Sequence, residues 1–386
     1  MIPYGRQDIQ PADIDAVVSV LRSDFLTQGP MVPRFERIVA DRVRAKYALA
    51  VNSATAALHI ACVALDLGPG DVLWTVPNTF VASANCARYC GADVDFVDID
   101  PATWNLSVAA LEEKLIDARR SNRLPKVVVP VHFSGQPTDQ ERIWELAQEF
   151  GFRVIEDASH AIGASRAEEP VGSCRWSDIT VFSFHPVKIV TTGEGGMALT
   201  NQLPLAQRMA LVRSHGITRE AGLFTQVSAD ETAAPWHYEQ QMLGYNYRMT
   251  DIHAALGVAQ MQRLDEYVDR RNVLAQRYDA ALRGLPLRLP CVRPGNRSAF
   301  HLYVVRLDGS STTQRELGDA MRAGGVGVNL HYAPVHLQPY YRALGFRPGQ
   351  FPEAEAYART ALTLPLFPKL TDEEQDRIVQ TVRRHV

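Results

Sequence analysis

The stretch DITVFSFHPVKIVTTGEGG, residues 178–196, runs from an apolar β-branched and aromatic segment through one lysine into a cluster of small residues. Its apolar part reads as a strand. YALAVNS (47–53), VLWTVP (72–77), VDFVDID (94–100), KVVVPVHF (126–133) and FRVIEDA (152–158) share that character, and helix-period segments such as VAALEEKLIDARR (108–120) lie between several of them. Continuous apolar strands alternating with helices imply an α/β fold whose large, mostly parallel sheet is covered on both faces. From 251 to 285 the pattern is helical throughout, which predicts a bridge between domains. Beyond it, the strand HLYVVRL (301–307), the helix TQRELGDAMRAGG (313–325) and the strand GVNLHY (327–332) predict a smaller C-terminal α+β domain. The expected division is a large domain with an N-terminal arm over 1–255, and a linking helix plus small domain over 256–386.

Length agrees with two domains, since 386 residues exceed the ~250–300 at which one core usually stops growing. Hydrophobic residues at 46% and charged residues at 22% are ordinary for a globular chain. No apolar run approaches the ~20 residues that cross a bilayer, so no membrane span is expected. The opening MIPYGRQDIQ lacks a basic start and an apolar stretch, so the mature chain is expected to begin near residue 1 and to work in the cytoplasm. Cysteines at 62, 86, 90, 174 and 291 form no Cys-x-x-Cys pair and read as free thiols. A net charge of -3 without a basic block argues against nucleic acid as a partner. Gly-x-Gly-x-x-Gly after a strand, the P-loop, His-Glu-x-x-His and Gly-x-Ser-x-Gly are all absent from the sequence. Nicotinamide, nucleotide-hydrolysis and zinc-protease chemistry therefore lose support, and no metal is expected.

Three pieces at strand ends carry the chemistry, because ligands of open α/β sheets gather outside the carboxyl ends of strands. In NSATAALHIA (52–61) a helix begins where a strand ends. Its free N–H groups at Thr55 and Ala56 suit an anion such as phosphate, with the Thr55 hydroxyl assisting, although such a junction alone is more often a plain N-cap. In VIEDASHAIG (154–163) a strand ends in Asp157, with His160 three residues on. In SFHPVK, Lys188 follows the last strand; an uncharged amine there is a nucleophile toward carbonyls. Lysine, aspartate and an anion cradle together suit pyridoxal 5'-phosphate, an aldehyde whose ring nitrogen commonly pairs with a carboxylate.

NSATAAL, EDASHAIG, SFHPVK, TTGEGGMALT, RSHGI and GYNYRMTDI, in that order, resemble the sugar-aminotransferase branch of the fold-type I pyridoxal-phosphate enzymes, the DegT/DnrJ/EryC1/StrS family, over essentially the whole chain. The resemblance implies that Lys188 binds the cofactor covalently and that Asp157 partners its ring nitrogen. Phe80 would stack on the ring; bare reading makes it a core aromatic. Thr55, the Ala56 backbone and Ser183 would hold the phosphate, and Asn246 would reach it from the other subunit of a homodimer. His160 would lie near the phenolic oxygen and His185 near the lysine, with a structural histidine the competing reading for both. Many relatives carry Ser where this chain has Ala56, leaving backbone donation only.

FLTQGP (25–30), SFHPVKIVTTGEGG and GVNLHYAPVHLQPYYRALGF (327–346) resemble the pseudaminic acid biosynthesis members. These act on a UDP-linked 4-keto-6-deoxy-N-acetyl-hexosamine of β-L-arabino configuration, with L-glutamate as amino donor and pyridoxamine phosphate as the intermediate cofactor form. Sugar-nucleotide contacts would come from Tyr4, Phe25, Leu26, Thr27, Asn329, His331 and Tyr332, of which Tyr4 and Phe25 equally suit packing. Two rivals stand beside this reading. In sugar dehydratases of the same fold the lysine is replaced by histidine, whereas Lys188 is intact here; a non-catalytic binding protein on this fold would not need Lys188, Asp157 and the phosphate residues together.

Overall fold

The computed structural model of the chain describes residues 1–225 and 234–386. Its central sheet is built from β1 (Tyr47–Val51), β2 (Val72–Thr75), β3 (Asp93–Phe96), β4 (Val127–Val129), β5 (Arg153–Asp157), β6 (Ile179–Ser183) and β7 (Gly196–Thr200), in the order β1-β7-β6-β5-β4-β2-β3. Every neighbouring pair is parallel except the two made by β7, which runs antiparallel to β1 and to β6. Side chains alternate between the two faces as strand geometry requires. Leu49 and Val51 of β1, Ala198 of β7 and Ile179 and Val181 of β6 enter one core, capped by the helix Ala54–Ala64. Ala50, Met197, Leu199 and Phe182 enter the other, against Phe35 and Val39 of the helix Met31–Val43 and Ala254 and Val258 of the helix Asp251–Met261. Both faces are buried, which explains why these strands read as continuous apolar runs.

The smaller C-terminal α+β unit holds an antiparallel sheet of β8 (Leu287–Arg288), β9 (Tyr303–Leu307) and β10 (Ala361–Leu364). Its core joins these strands to Leu274 and Tyr278 of the helix Leu264–Leu282, Met321 of Gln314–Ala323, and Ile378 and Val382 of Asp372–His385. The N-terminal arm is tied to it: Ile2 N–H donates to the Gly325 carbonyl at 2.8 Å, and Gly327 N–H to the Ile2 carbonyl at 2.7 Å.

The structure departs from the sequence reading at several elements. GVNLHY is not a strand; only Asn329 pairs with Thr363, in an isolated bridge. The arm occupies the backbone of Gly327, and the Asn329 side chain accepts the next amide, Leu330 N–H, at 2.9 Å, so no ladder forms. The third strand of the small sheet is instead β10, which the sequence reading missed, as it missed β7. The helical stretch 251–285 is two helices, interrupted at Gln262 and Arg263. KVVVPVHF yields a strand over Val127–Val129 only; Pro130, which has no N–H to give a ladder, follows directly.

One buried carboxylate organises the region ahead of the sheet. Asp251, fully buried, accepts Gly29 N–H at 2.5 Å, Met31 N–H at 2.7 Å and Val32 N–H at 2.9 Å, so it caps the helix Met31–Val43 from across the fold. It also sits in the first turn of its own helix, where a negative charge is favoured. Asp251→Ala would strand three amide donors, and a loss of about 2–4 kcal/mol in urea unfolding is expected.

Candidate active site

The loop that carries Lys188 is closed at its base by backbone. Phe184 N–H donates to the Gly195 carbonyl at 2.9 Å and Thr192 N–H to the Phe184 carbonyl at 3.0 Å; within the loop, Lys188 N–H reaches the His185 carbonyl at 2.9 Å. The return depends on small residues. Gly193 has φ +82°, a conformation open to glycine, and a Cβ on Gly196 would lie 2.4 Å from the Ala54 nitrogen and from the Ser53 carbonyl carbon. Gly196 is also the register partner of Ser183. β7 thereby brings the end of β6 against the start of the helix Ala54–Ala64, where Ser53 caps Ala56 N–H at 3.1 Å and Thr55 occupies the first turn.

Asp157 ends β5, next to β6, so its carboxylate and the Lys188 amine share the same sheet edge. It is buried, accepting the Ser83 hydroxyl at 2.6 Å and Ser159 N–H at 3.1 Å. Burial lowers Lys188 to about 8, although the Asp157 charge pulls it back up. A lysine in that range supplies free amine close to neutral pH.

Histidines surround this pair. His160 is buried; its Nδ1 accepts Ser134 N–H at 3.3 Å and its Nε2 lies 3.1 Å from the Tyr332 hydroxyl. Because Nδ1 is an acceptor, the ring carries its proton on Nε2 and donates from there. His301 packs on His160 with centroids 4.5 Å apart, and His331 bonds Thr363 Oγ1 through Nδ1 at 2.8 Å. Burial first, then the Lys188 charge, depresses all three, His331 to about 4. They are neutral donors and acceptors around one cation and one carboxylate.

Other anticipated residues fall in different places. The Tyr4 ring lies tilted against His331 with centroids 5.3 Å apart, and its carbonyl accepts Leu366 N–H at 3.1 Å. The next residue, Gly5, lies beside Val187, so the arm passes along the lysine loop. Phe80 is not a core aromatic: it is 58% exposed, with Tyr332 at 6.3 Å as a ring neighbour. Ser183 is buried at the end of β6 and its Oγ accepts His185 N–H at 3.5 Å; the His185 side chain is exposed. Asn329 is exposed. Phe25, Leu26 and Thr27 are exposed and attach to the helix Asp251–Met261 through the Leu26 carbonyl and a Thr27–Thr250 bridge. Asn246 is exposed on the neighbouring segment, whose backbone pairs with Ser214.

Several residues here were not anticipated. Ser83 holds Asp157. Asn78, fully buried, accepts Tyr332 N–H at 3.1 Å. Arg271, also fully buried, donates to the carbonyls of Phe300, His301 and Leu366 at 3.0–3.2 Å and so fixes the chain that presents His301. Burial alone lowers it to about 10. Each acts on a partner far away in sequence, and only the apolar spacing of its own helix or loop was visible.

The depressed histidines make stability pH-dependent. An unfolded histidine takes a proton near 6.5, whereas the folded His331 resists until about 4, so its contribution is complete above 6.5 and is lost as pH falls. His331 alone should cost about 2 kcal/mol at pH 5. The urea midpoint should therefore drop between pH 7 and 5, and drop less in His331→Gln.

Comparison with known proteins agrees with this geometry. The chain matches the DegT/DnrJ/EryC1/StrS aminotransferase family over residues 7–383. It is 38% identical over 387 residues to the spore coat polysaccharide biosynthesis protein SpsC of Bacillus subtilis, covering 99% of this chain and 96% of that one. A Streptococcus pneumoniae protein assigned as a sugar aminotransferase superposes in its PMP form with a TM-score of 0.89 at 30% identity, covering 100% and 98% of the two chains. Helicobacter pylori PseC, an aminotransferase of pseudaminic acid biosynthesis, superposes with a TM-score of 0.89 at 27% identity over 100% and 98%. This chain belongs to the DegT/DnrJ/EryC1/StrS aminotransferase family, and is a pyridoxal-phosphate-dependent sugar aminotransferase.

Proposed function

We propose that the protein transfers an amino group from L-glutamate to C4 of a UDP-linked 4-keto-6-deoxy-N-acetyl-hexosamine of β-L-arabino configuration, as a cytoplasmic step of pseudaminic acid biosynthesis. The observation that carries the reaction type is Lys188, lowered to about 8, on the same sheet edge as the buried Asp157. The donor set fits a phosphorylated pyridine aldehyde. A cradle that a Cβ on Gly196 would fill lies at the start of the helix Ala54–Ala64, the exposed Phe80 ring offers a face for stacking, and a carboxylate lies opposite the lysine.

When bound, the cofactor supplies a carbonyl for amine exchange and a ring that holds the electron pair released on deprotonation. Asp157, fixed by Ser83 and Ser159, partners the ring nitrogen. Thr55, the Ala56 amide, which Ser53 Oγ caps here, and Ser183 would hold the phosphate in one subunit, and Asn246 would reach it from the other subunit of a homodimer. His160, a neutral ring held by Ser134 and Tyr332, would lie near the phenolic oxygen. The Lys188 amine, lowered to about 8 by burial, would hold the cofactor and, when released, would serve as the base that takes the proton from the α-carbon of glutamate and returns a proton on the sugar side. His185 lies on the lysine's own turn, where it assists. Tyr4, Phe25, Leu26, Thr27, Asn329, His331 and Tyr332 contact the sugar nucleotide. Supporting this, the rings of Tyr4 and Tyr332 both lie beside His331, which feels the Lys188 charge. Residues 1–255 and 256–386 act as the two domains that enclose the substrate.

A second reading, amination of a different nucleotide-linked 4-keto sugar, is favoured by the higher identity to the Bacillus protein, 38% against 27% for PseC. One experiment separates them. Purified enzyme with pyridoxal phosphate should show a visible band that bleaches with L-glutamate and returns only on adding the correct UDP-4-keto sugar. Return with the β-L-arabino compound supports the first reading and return with another sugar the second. A band that never forms, or forms equally in Lys188→Ala, overturns both. Lys188→Arg should lose at least ~10³-fold in turnover while keeping charge, because arginine cannot act as a base near neutral pH.

A further inference from the structure

Away from Lys188, the structure gathers three of the chain's five cysteines. Cys62 lies on the helix Ala54–Ala64, one turn beyond His59; Cys86 lies on the helix Ala82–Tyr89, and Cys90 caps its C-terminus. Cys62 and Cys86 are fully buried in the core between the two helices, whereas Cys90 keeps partial exposure and packs against that core. The two helices pack directly on each other, and all three cysteines lie in or against the core between them. His59 closes the group: its ring packs on Tyr89 at 5.5 Å, its Nδ1 bonds the Tyr247 hydroxyl at 3.1 Å, and its Nε2 is buried with no hydrogen-bond partner. Among the described residues, no set of three or more His, Cys, Asp or Glu is arranged to hold a metal ion. The cluster therefore calls for thiol chemistry rather than metal binding.

We propose that Cys90 and Cys62 are an oxidisable thiol pair, a modification site at which hydroperoxide-class oxidants form a disulfide between the helices Ala54–Ala64 and Ala82–Tyr89. Cys90 is the attacking sulfur. It is the one member that solvent reaches; the neighbouring Cys62 and then His59 draw its thiol down toward thiolate against the effect of burial, whereas Cys62 is held well above its ordinary value by its neighbouring thiols and by full burial. The thiolate attacks the peroxide oxygen, the O–O bond breaks, and an alcohol or water leaves as Cys90 becomes a sulfenic acid. Cys62 then attacks that sulfur; the S–O bond breaks, hydroxide departs with the Cys62 proton as water, and the S–S bond forms. Two electrons pass from the thiols to one peroxide. The other two cysteines lack this setting. Cys174 is buried and pushed up to about 12, and Cys291 is exposed without a partner thiol among the described residues.

The position gives the bond a consequence. One bridged helix begins at the Ser53–Ala56 anion cradle, and the other carries Ser83, which holds Asp157; the Cys86 thiol itself donates to the Ser83 carbonyl at 3.2 Å. Holoenzyme treated with a few equivalents of hydrogen peroxide, quenched with a maleimide and mapped by peptide mass spectrometry should yield a Cys62–Cys90 crosslinked peptide two hydrogens lighter than its parts. The crosslink should vanish in Cys90→Ser and in Cys62→Ala and persist in Cys291→Ser. Oxidation confined to Cys291, a Cys62–Cys86 link in its place, or unchanged thiols would overturn the proposal. None of these outcomes depends on which sugar the enzyme aminates.

Discussion

The close approach of Gly196 to the Ser53–Ala54 backbone is the constraint on which the rest of the site depends. A methyl group at 196 would overlap main-chain atoms at 2.4 Å, and main chain cannot swing aside as a flexible side chain can. The contact exists because β7 runs antiparallel between β1 and β6, against the direction of every other strand in the sheet. A strand inserted that way returns the chain from the end of β6 to the end of β1 within the short loop 184–195. The lysine on that loop and the helix start after β1 are thus fixed at the same edge by one backbone contact.

Charge at that edge is sparse, and burial, opposed by a single carboxylate, is what sets the lysine. Lys188 faces one carboxylate, Asp157, and three histidines that burial keeps neutral. Were those rings protonated, three further positive charges would crowd the amine and depress it more. Neutral rings instead act as directional hydrogen-bond partners. The tautomer of His160 is set by Ser134, a non-glycine residue with φ +62° that turns its amide toward Nδ1. Ser134 is held in that conformation by a hydrogen bond from its hydroxyl to the Leu302 carbonyl at 2.7 Å. The backbone strain thereby has a purpose within reach of Lys188.

How much of this was legible in the sequence follows from how local each signal is. The six apolar strands and the helix at 108–120 were readable because their periodicity is contained in their own residues. The seventh strand, GMALT, was hidden behind its glycines, which read as loop; those glycines serve the contact with Ser53 rather than flexibility. GVNLHY had a strand's composition, yet its backbone partners were taken by Ile2 and by Asn329's own side chain. Lys188, Asp157 and the helix start at Thr55 and Ala56 stood at strand ends and could be found by position. Ser83, Asn78, His301 and Arg271 could not, because each matters through a residue more than 25 positions away, and no motif joins the two.

The same long-range pattern explains why the site requires the whole chain. The sheet supplies Lys188 and Asp157, but the rings around them come from 301, 331 and 332 in the C-terminal part and from Tyr4 in the arm. Tyr332 is pinned to the large sheet through Asn78, and the Tyr357 hydroxyl donates to the His331 carbonyl at 2.6 Å from behind. Arg271 ties the linking helix to the carbonyls of Phe300, His301 and Leu366, and the last of these lies two residues beyond β10. The C-terminal part also enters the core of the large sheet, through Leu302, Val304, Val335 and Tyr357, and it brings two of the three neutral histidines, His301 and His331. Desolvation, the larger of its two influences, is what lowers the amine. The reactivity of the lysine is therefore a property of the packed fold as a whole, even though the lysine itself stands on a short loop between two strands of the sheet.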